Sequence, residues 1–169
     1  VLRIAGLCTV DEYLEHLGEE IGRLEDTPGR MAQAASEASY DAWIKLYRAD
    51  ENTVNSTVSY YLKGEIICAL LDLELRLRGV VGGLGAVLGE LWHTYGAHDR
   101  PVPEDAMPQV FERVAGQSMI DVLEPWVDGR GDLPVDAVLS RVGLSVLRER
   151  KDEKKRRAPV RDRAFRAMD

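Results

Sequence analysis

The segment from Asn55 to Arg78, NSTVSYYLKGEIICALLDLELRLR, contains no proline and a single glycine. It is several times longer than an ordinary strand of ~5–6 residues, which leaves a long helix as the structure that satisfies its backbone. Val58, Leu62, Ile66, Ala69, Leu73 and Leu77 form one apolar stripe at helical spacing, and Tyr60, Gly64, Ile67, Leu71 and Leu75 form a second. Two stripes predict a helix packed on two sides, over about residues 56–78, with Asn55 or Ser56 as its cap. The tail LDLELRLR alternates with period two, yet no turn residue separates it from the helical run, so it reads as more helix.

A third face gathers polar groups. At ~100° per residue, Tyr61, Glu65, Cys68, Asp72 and Arg76 fall within roughly 80° of one another. Such a line can border a cleft. Equally, Asp72 and Arg76 read as an ordinary pair four residues apart, and Tyr61 as an amphipathic residue with its hydroxyl at the surface.

Around this segment, 169 residues suit one domain with a sizeable core. The longest uninterrupted apolar run, Ile66 to Leu71, is far too short to span a bilayer, so no membrane partner is expected. From Arg148 onward there are ten basic and five acidic residues, against 12 basic and 24 acidic in the rest. An acidic body argues against a nucleic-acid surface, and the basic end, whose only aromatic is Phe165, reads as a solvated linker or tail over 148–169. Cys8 and Cys68 make no disulfide framework. Cys68, inside the apolar run, is expected to pack as a small hydrophobe, and the two cysteines suit a reducing compartment, read as cytoplasmic, or simple indifference to redox state. His16, His93 and His98 have no His or Cys partner at ligand spacing, so each reads as a surface or helix-end residue, and no metal is expected in this chain.

Along the chain, Thr9 and Glu12 form a capping box that opens a helix running to about Asp26, stopped by Thr27-Pro28-Gly29. Met31 to about Ser39 is helix-forming, with Ala32, Ala34, Ala35 and Ala38 small enough for close backbone approach. From Tyr40 to Thr57 no single period fits. Trp43, Tyr47 and Tyr40 put rings beside Lys45 and Arg48, and an ordered connection over the central helix is expected. Further helices are predicted from Leu84 to about Tyr95, to Ala115 from either Pro103 or near Met107, from Ser118 through Trp126, and from Pro134 to Arg141, followed by a strand-like GLSVL. The glycines at 79, 82, 83 and 85 lack the preceding strand that a phosphate-cradling loop requires. The architecture is all-α: an irregular multi-helix domain around the central helix.

The run SEASYDAWIKLYRADENTVNSTVSYYLKGEIICALLDLELR, Ser36 to Arg76, closely resembles the segment downstream of the zinc site in the glycyl aminopeptidase family, metallopeptidases that often carry a PDZ domain. VLRIAGLCTVDEYLEHL, TPGR and LPVDAVLSRVGL match in kind, extending the resemblance over roughly residues 1–147. The family's zinc is held by a HExxH pair and a downstream glutamate, and this chain has no HExxH. The resemblance therefore implies the helical C-terminal part of a catalytic domain whose ligands and general base precede Val1. Zinc would belong to the parent, with the remainder of that domain and a peptide substrate as partners. The basic end departs from what is expected before a PDZ domain and leaves that domain's presence open.

Related thermolysin-like aminopeptidases carry a YEKG motif whose tyrosine donates a hydrogen bond to the oxyanion formed at the peptide carbonyl. Tyr61-Leu62-Lys63-Gly64 matches it apart from leucine for glutamate, and this implies that Tyr61 is a catalytic residue. Tyr61 also heads the polar line, whereas Tyr60 falls on an apolar stripe. Gly64 is expected to serve close packing against a neighbouring helix. Two readings result: a fragment of a zinc-dependent aminopeptidase supplying pocket walls and the oxyanion-stabilising tyrosine, or a non-catalytic helical module that docks a partner through its Trp43 to Arg48 surface. Apolar surface facing absent sequence would also make the isolated chain self-associate.

Overall fold

The computed structural model describes residues 5–148 and the backbone of 165–167. Helix α1 (Val10–Glu25) starts at the expected capping box: the Glu12 amide donates to Thr9 Oγ1 at 3.2 Å, and the Thr9 amide donates to Glu12 Oε2 at 2.8 Å. The Thr9 amide and the Thr9 hydroxyl both donate to the Glu12 carboxylate and hold it below its ordinary value. The helix buries Leu17, Ile21 and Leu24. A 3-10 turn over Pro28–Met31 follows, and here the main chain passes so close to Thr57 that a Cβ on Gly29 would lie 1.9 Å from the Thr57 carbonyl oxygen. Helix α2 (Ala35–Tyr40) begins later than the composition predicts, because residues 28–31 are spent in that turn. Ala34, Ala35 and Ala38 are buried as expected, but Ala32 is exposed.

The predicted connection over 40–57 contains two one-turn helices, α3 (Ala42–Lys45) and α4 (Thr53–Ser56). Asn55 and Ser56 lie in α4, so neither caps the central helix. That helix is α5 (Tyr60–Leu77), and its cap is Ser59, whose Oγ accepts the Leu62 amide at 3.4 Å. Between them Thr57 is extended and the buried Val58 amide donates to Gln33 Oε1 at 3.1 Å, a side-chain partner that draws Val58 out of the helix.

The buried face of α5 consists of Lys63, Ile66, Ile67, Leu70, Leu71, Glu74 and Leu75. It is one face, displaced from the two predicted stripes: Leu62, Ala69 and Leu73 are only partly buried, and Leu77 is exposed. The displacement arises because two polar residues occupy core positions. Glu74 accepts Arg78 Nε at 2.9 Å and an Arg141 guanidinium N–H at 2.5 Å, which lets its carboxylate lie buried. Arg78 also reaches Asp121 Oδ1 at 3.1 Å, and this holds the Asp121 carboxyl below its ordinary value.

Around α5 pack α1, α2, α6 (Leu84–Thr94) and α9 (Val135–Ser140). Helix α7 (Ala106–Ala115) lies against α6 and takes the later of its two predicted starts, with Pro108 in its first turn, where a missing amide is tolerated. Helix α8 (Ile120–Leu123) runs into a π-helical turn over Glu124–Asp128, in which Pro125 has no amide to continue the α ladder. The strand-like GLSVL becomes β1 (Leu144–Val146), which pairs antiparallel with β2 (Phe165–Ala167), Leu144 opposite Ala167. Apart from this ladder the described residues form an all-α fold, as predicted. The expected linker over 148–169 lies outside the described residues except for Arg148 and β2. Among the described residues no helix is long and apolar enough to cross a membrane.

Candidate functional site

The polar line of α5 is its outward face: Tyr61, Glu65, Cys68 and Arg76 are exposed and Asp72 is half-buried. Cys68 therefore does not pack as a small hydrophobe. It lies one ~100° step from the buried Ile67 and falls on the line between Glu65 and Asp72. Local packing and the Glu65 carboxylate push its thiol up, away from an activated thiolate.

Three members of the line hold the fold together. Asp72 Oδ1 accepts the Leu84 amide at 2.7 Å, and its Oδ2 accepts Arg76 Nε at 2.8 Å. Asp72 thus satisfies a free amide at the start of α6, where Gly83 has φ +54° and a Cβ would lie 2.2 Å from Asp72 Oδ1. Glu65 meets His16 Nε2 at 2.8 Å and ties α5 to α1. Tyr13 lies beside the same carboxylates, and burial, with Asp72 and Glu65 adding to it, pushes its phenol up.

Tyr61 is different: it is 61% exposed in the first turn of α5. Its ring centroid lies 4.0 Å from that of Tyr60, with 32° between the planes. Tyr47, in the connection after α3, brings a third hydroxyl to the same place and is packed on Trp43, centroids 5.1 Å apart. Hydrogen bonds from Tyr60 and Tyr47 hold the Tyr61 phenol below the ordinary tyrosine value. The Tyr60 and Tyr47 phenols are pushed up, chiefly by their bonds to Tyr61. Trp43 is 80% exposed beside Tyr47, and Tyr40, Ile44 and Val54 in the neighbouring chain are also exposed, Tyr40 at 91%. The ring-rich composition around Trp43 was visible in the sequence. That Tyr47, from a separate element, acts with Tyr60 on the Tyr61 phenol was not, and the placing of Tyr60 on an apolar stripe concealed its polar end.

Lys63, the third residue of the motif, is 1% exposed. Its ammonium donates to the carbonyls of Arg30 and Gln33, each at 3.2 Å, and to that of Gly129 at 3.5 Å. Burial pushes it down, opposed by the Asp132 and Glu37 carboxylates. Lys63 therefore fastens the start of α5 to two distant segments. Gly64 is not a packing contact: a Cβ there would meet nothing within 4 Å, because the neighbouring segments close on the Lys63 side of the turn.

His16 is engaged by Glu65, and His93 and His98 are exposed on and after α6. Among the described residues no group of three or more His, Cys, Asp or Glu side chains is placed to hold a metal ion, so these residues do not fit a zinc site.

No curated protein and no solved structure matches the chain. A match to a family model takes in the quoted run from Ser36 through Tyr61 as far as Ile67, and stops short of Cys68 to Arg76 and of Leu133 to Leu144. Residues 1–67 match the family model described as M61 glycyl aminopeptidase, and in that part the chain is similar to a peptidase family.

Proposed function

We propose that this chain supplies a pocket wall and an oxyanion-stabilising tyrosine, Tyr61, to a zinc-dependent aminopeptidase whose metal-binding residues lie outside it, as the C-terminal part of the catalytic domain. One observation carries the reading: within the matched segment, Tyr61 presents an exposed phenol, made more acidic by two neighbouring hydroxyls, beside an open aromatic surface. When a peptide carbonyl is attacked, its oxygen gains negative charge. A neutral, relatively acidic phenol aimed at that oxygen stabilises the tetrahedral species more than the ground-state carbonyl, and this lowers the barrier. Trp43 and Tyr47 offer an apolar wall along which the peptide would lie. Zinc, when bound in the parent, supplies Lewis-acid chemistry, and no residue described here is assigned to it.

The test is Tyr61→Phe in the complete enzyme. Turnover should fall ~10²–10³-fold, with little change in KM and with zinc content unchanged. Tyr40→Phe, on an exposed phenol of a different helix, is the matched control and should cost little. Tyr60→Phe is unsuitable as a silent control, because that hydroxyl bonds to Tyr61. Near-normal turnover in Tyr61→Phe would refute the assignment.

The exposure of Trp43 and Ile44 supports a second reading, a helical interaction module docking through the Trp43 to Arg48 surface. The two separate cleanly. Under the second, Trp43→Ser abolishes partner binding and Tyr61→Phe leaves it intact.

A further inference from the structure

Gln33 meets the start of α5 twice. Its side-chain Oε1 accepts the Val58 amide at 3.1 Å, and its main-chain oxygen accepts the Lys63 ammonium at 3.2 Å. The two ties bracket Tyr61 in sequence, and Gln33 itself is 3% exposed. The side-chain amide is only half satisfied: among the described residues its Nε2 has no hydrogen-bond partner. A buried donor left unpaired is destabilising, so stability alone gives no reason for a glutamine at this position.

What the side chain does is interrupt a helix. α4 ends at Ser56 and α5 starts at Tyr60, and between them Thr57 and Ser59 are extended, with ψ of 160° and 120°. No proline or glycine stands from Thr53 to Lys63 to break the run. Without the Gln33 acceptor, the Val58 amide finds its partner in the carbonyl four residues back, that of Val54, and α4 runs on into α5. On a continuous helix a side chain leans over the turn N-terminal to its own Cα, so the Tyr61 ring would lie on Thr57 and Val58. In this fold both of those residues are drawn away and buried, while Tyr61 stays exposed. We propose that Gln33 is a positioning residue for Tyr61: by holding Val58 out of the helix it keeps the turn beneath the phenol open, so that the ring is free to meet an oxygen of a ligand. The catalytic consequence rests on the role proposed for Tyr61, whereas the helix break does not.

The test replaces Gln33 with Met, which keeps the length of the side chain, and with Glu, which keeps an acceptor oxygen. Gln33→Met removes one unpaired donor, Nε2, and releases another, the Val58 amide, so the melting temperature should change little. In the 169-residue chain, backbone NMR shifts of Thr57, Val58 and Ser59 should move from extended to helical values in Gln33→Met and stay extended in Gln33→Glu. Extended values in Gln33→Met, or helical ones in Gln33→Glu, overturn the proposal. In the complete enzyme, Gln33→Met should lower kcat on the order of 10²-fold at unchanged KM, the effect of a reacting group misplaced by about 1 Å. It should add nothing in a Tyr61→Phe background, and an equal loss in both backgrounds overturns the proposal. If the shifts move as expected while Tyr61→Phe retains turnover, the helix break by Gln33 stands and the oxyanion role falls.

Discussion

The Lys63 ammonium donates to the main-chain carbonyl of Gln33 at 3.2 Å, across 30 residues of sequence and from a helix face lined, apart from Glu74, with Ile and Leu. Arg30 offers a second carbonyl at the same distance. Lys63→Met retains the length of the side chain but leaves those carbonyls buried without their donor, and should cost about 2–4 kcal/mol in chemical denaturation at neutral pH. The pH dependence has a definite sign. Folding lowers the Lys63 pKa below its usual 10.5, so between the folded value and 10.5 the unfolded chain binds more protons. Wild type should therefore gain stability relative to Lys63→Met as pH rises toward 10.5, and lose that gain as pH falls through the folded value. A stability difference independent of pH would contradict this.

Gly29 and Gly64 should respond oppositely to alanine. A Cβ at Gly29 would lie 1.9 Å from the Thr57 carbonyl oxygen and 2.6 Å from its carbon. The next residue, Val58, is tied to Gln33, so the Thr57 backbone has little room to retreat, and Gly29→Ala should destabilise by about 3 kcal/mol. Gly64→Ala meets nothing within 4 Å in a helix interior and should stabilise by roughly 0.5–1 kcal/mol. Melting curves of the two variants are the measurement.

Zinc should bind the isolated chain only adventitiously, and the chain should not hydrolyse peptides. His16 is occupied with Glu65, and the described residues bring no three ligand side chains together. Titration calorimetry and a glycyl-peptide assay decide the matter, and stoichiometric tight binding or steady turnover would show that the chemistry lies elsewhere.

Between residues 40 and 54 the side chains of Tyr40, Trp43, Ile44, Tyr47 and Val54 are all exposed, with Trp43 packed on Tyr47. Apolar patches of this kind favour association, so sedimentation of the isolated chain should show mass rising with concentration. Trp43→Ser with Ile44→Ser should remove that dependence without loss of helix, because both side chains are outside the core.

Where an outcome depends on neighbours in sequence, the chain alone determined it. Thr9 and Glu12 are three residues apart and made their capping box. Thr27-Pro28-Gly29 ended α1, Pro108 restricted α7 to a start near Met107, and LDLELRLR stayed helical for want of a turn residue. The all-α character and the outward polar line of α5 followed from periodicity in the same way. Tertiary structure decided everything whose partner is distant. Lys63 and Glu74 break any apolar stripe, yet both are buried, because backbone carbonyls from residues 30, 33 and 129 and a guanidinium from Arg141 compensate for their lost hydration. Val58 left the helix for a Gln33 side chain, β1 found β2 in the basic tail, and Tyr47 came to Tyr61 through a loop without periodicity. Spacing along one helix can align polar groups on a face, but only packing of separate elements brings a second hydroxyl to the first, since hydrogen bonds act over ~3 Å and sequence distance does not encode it.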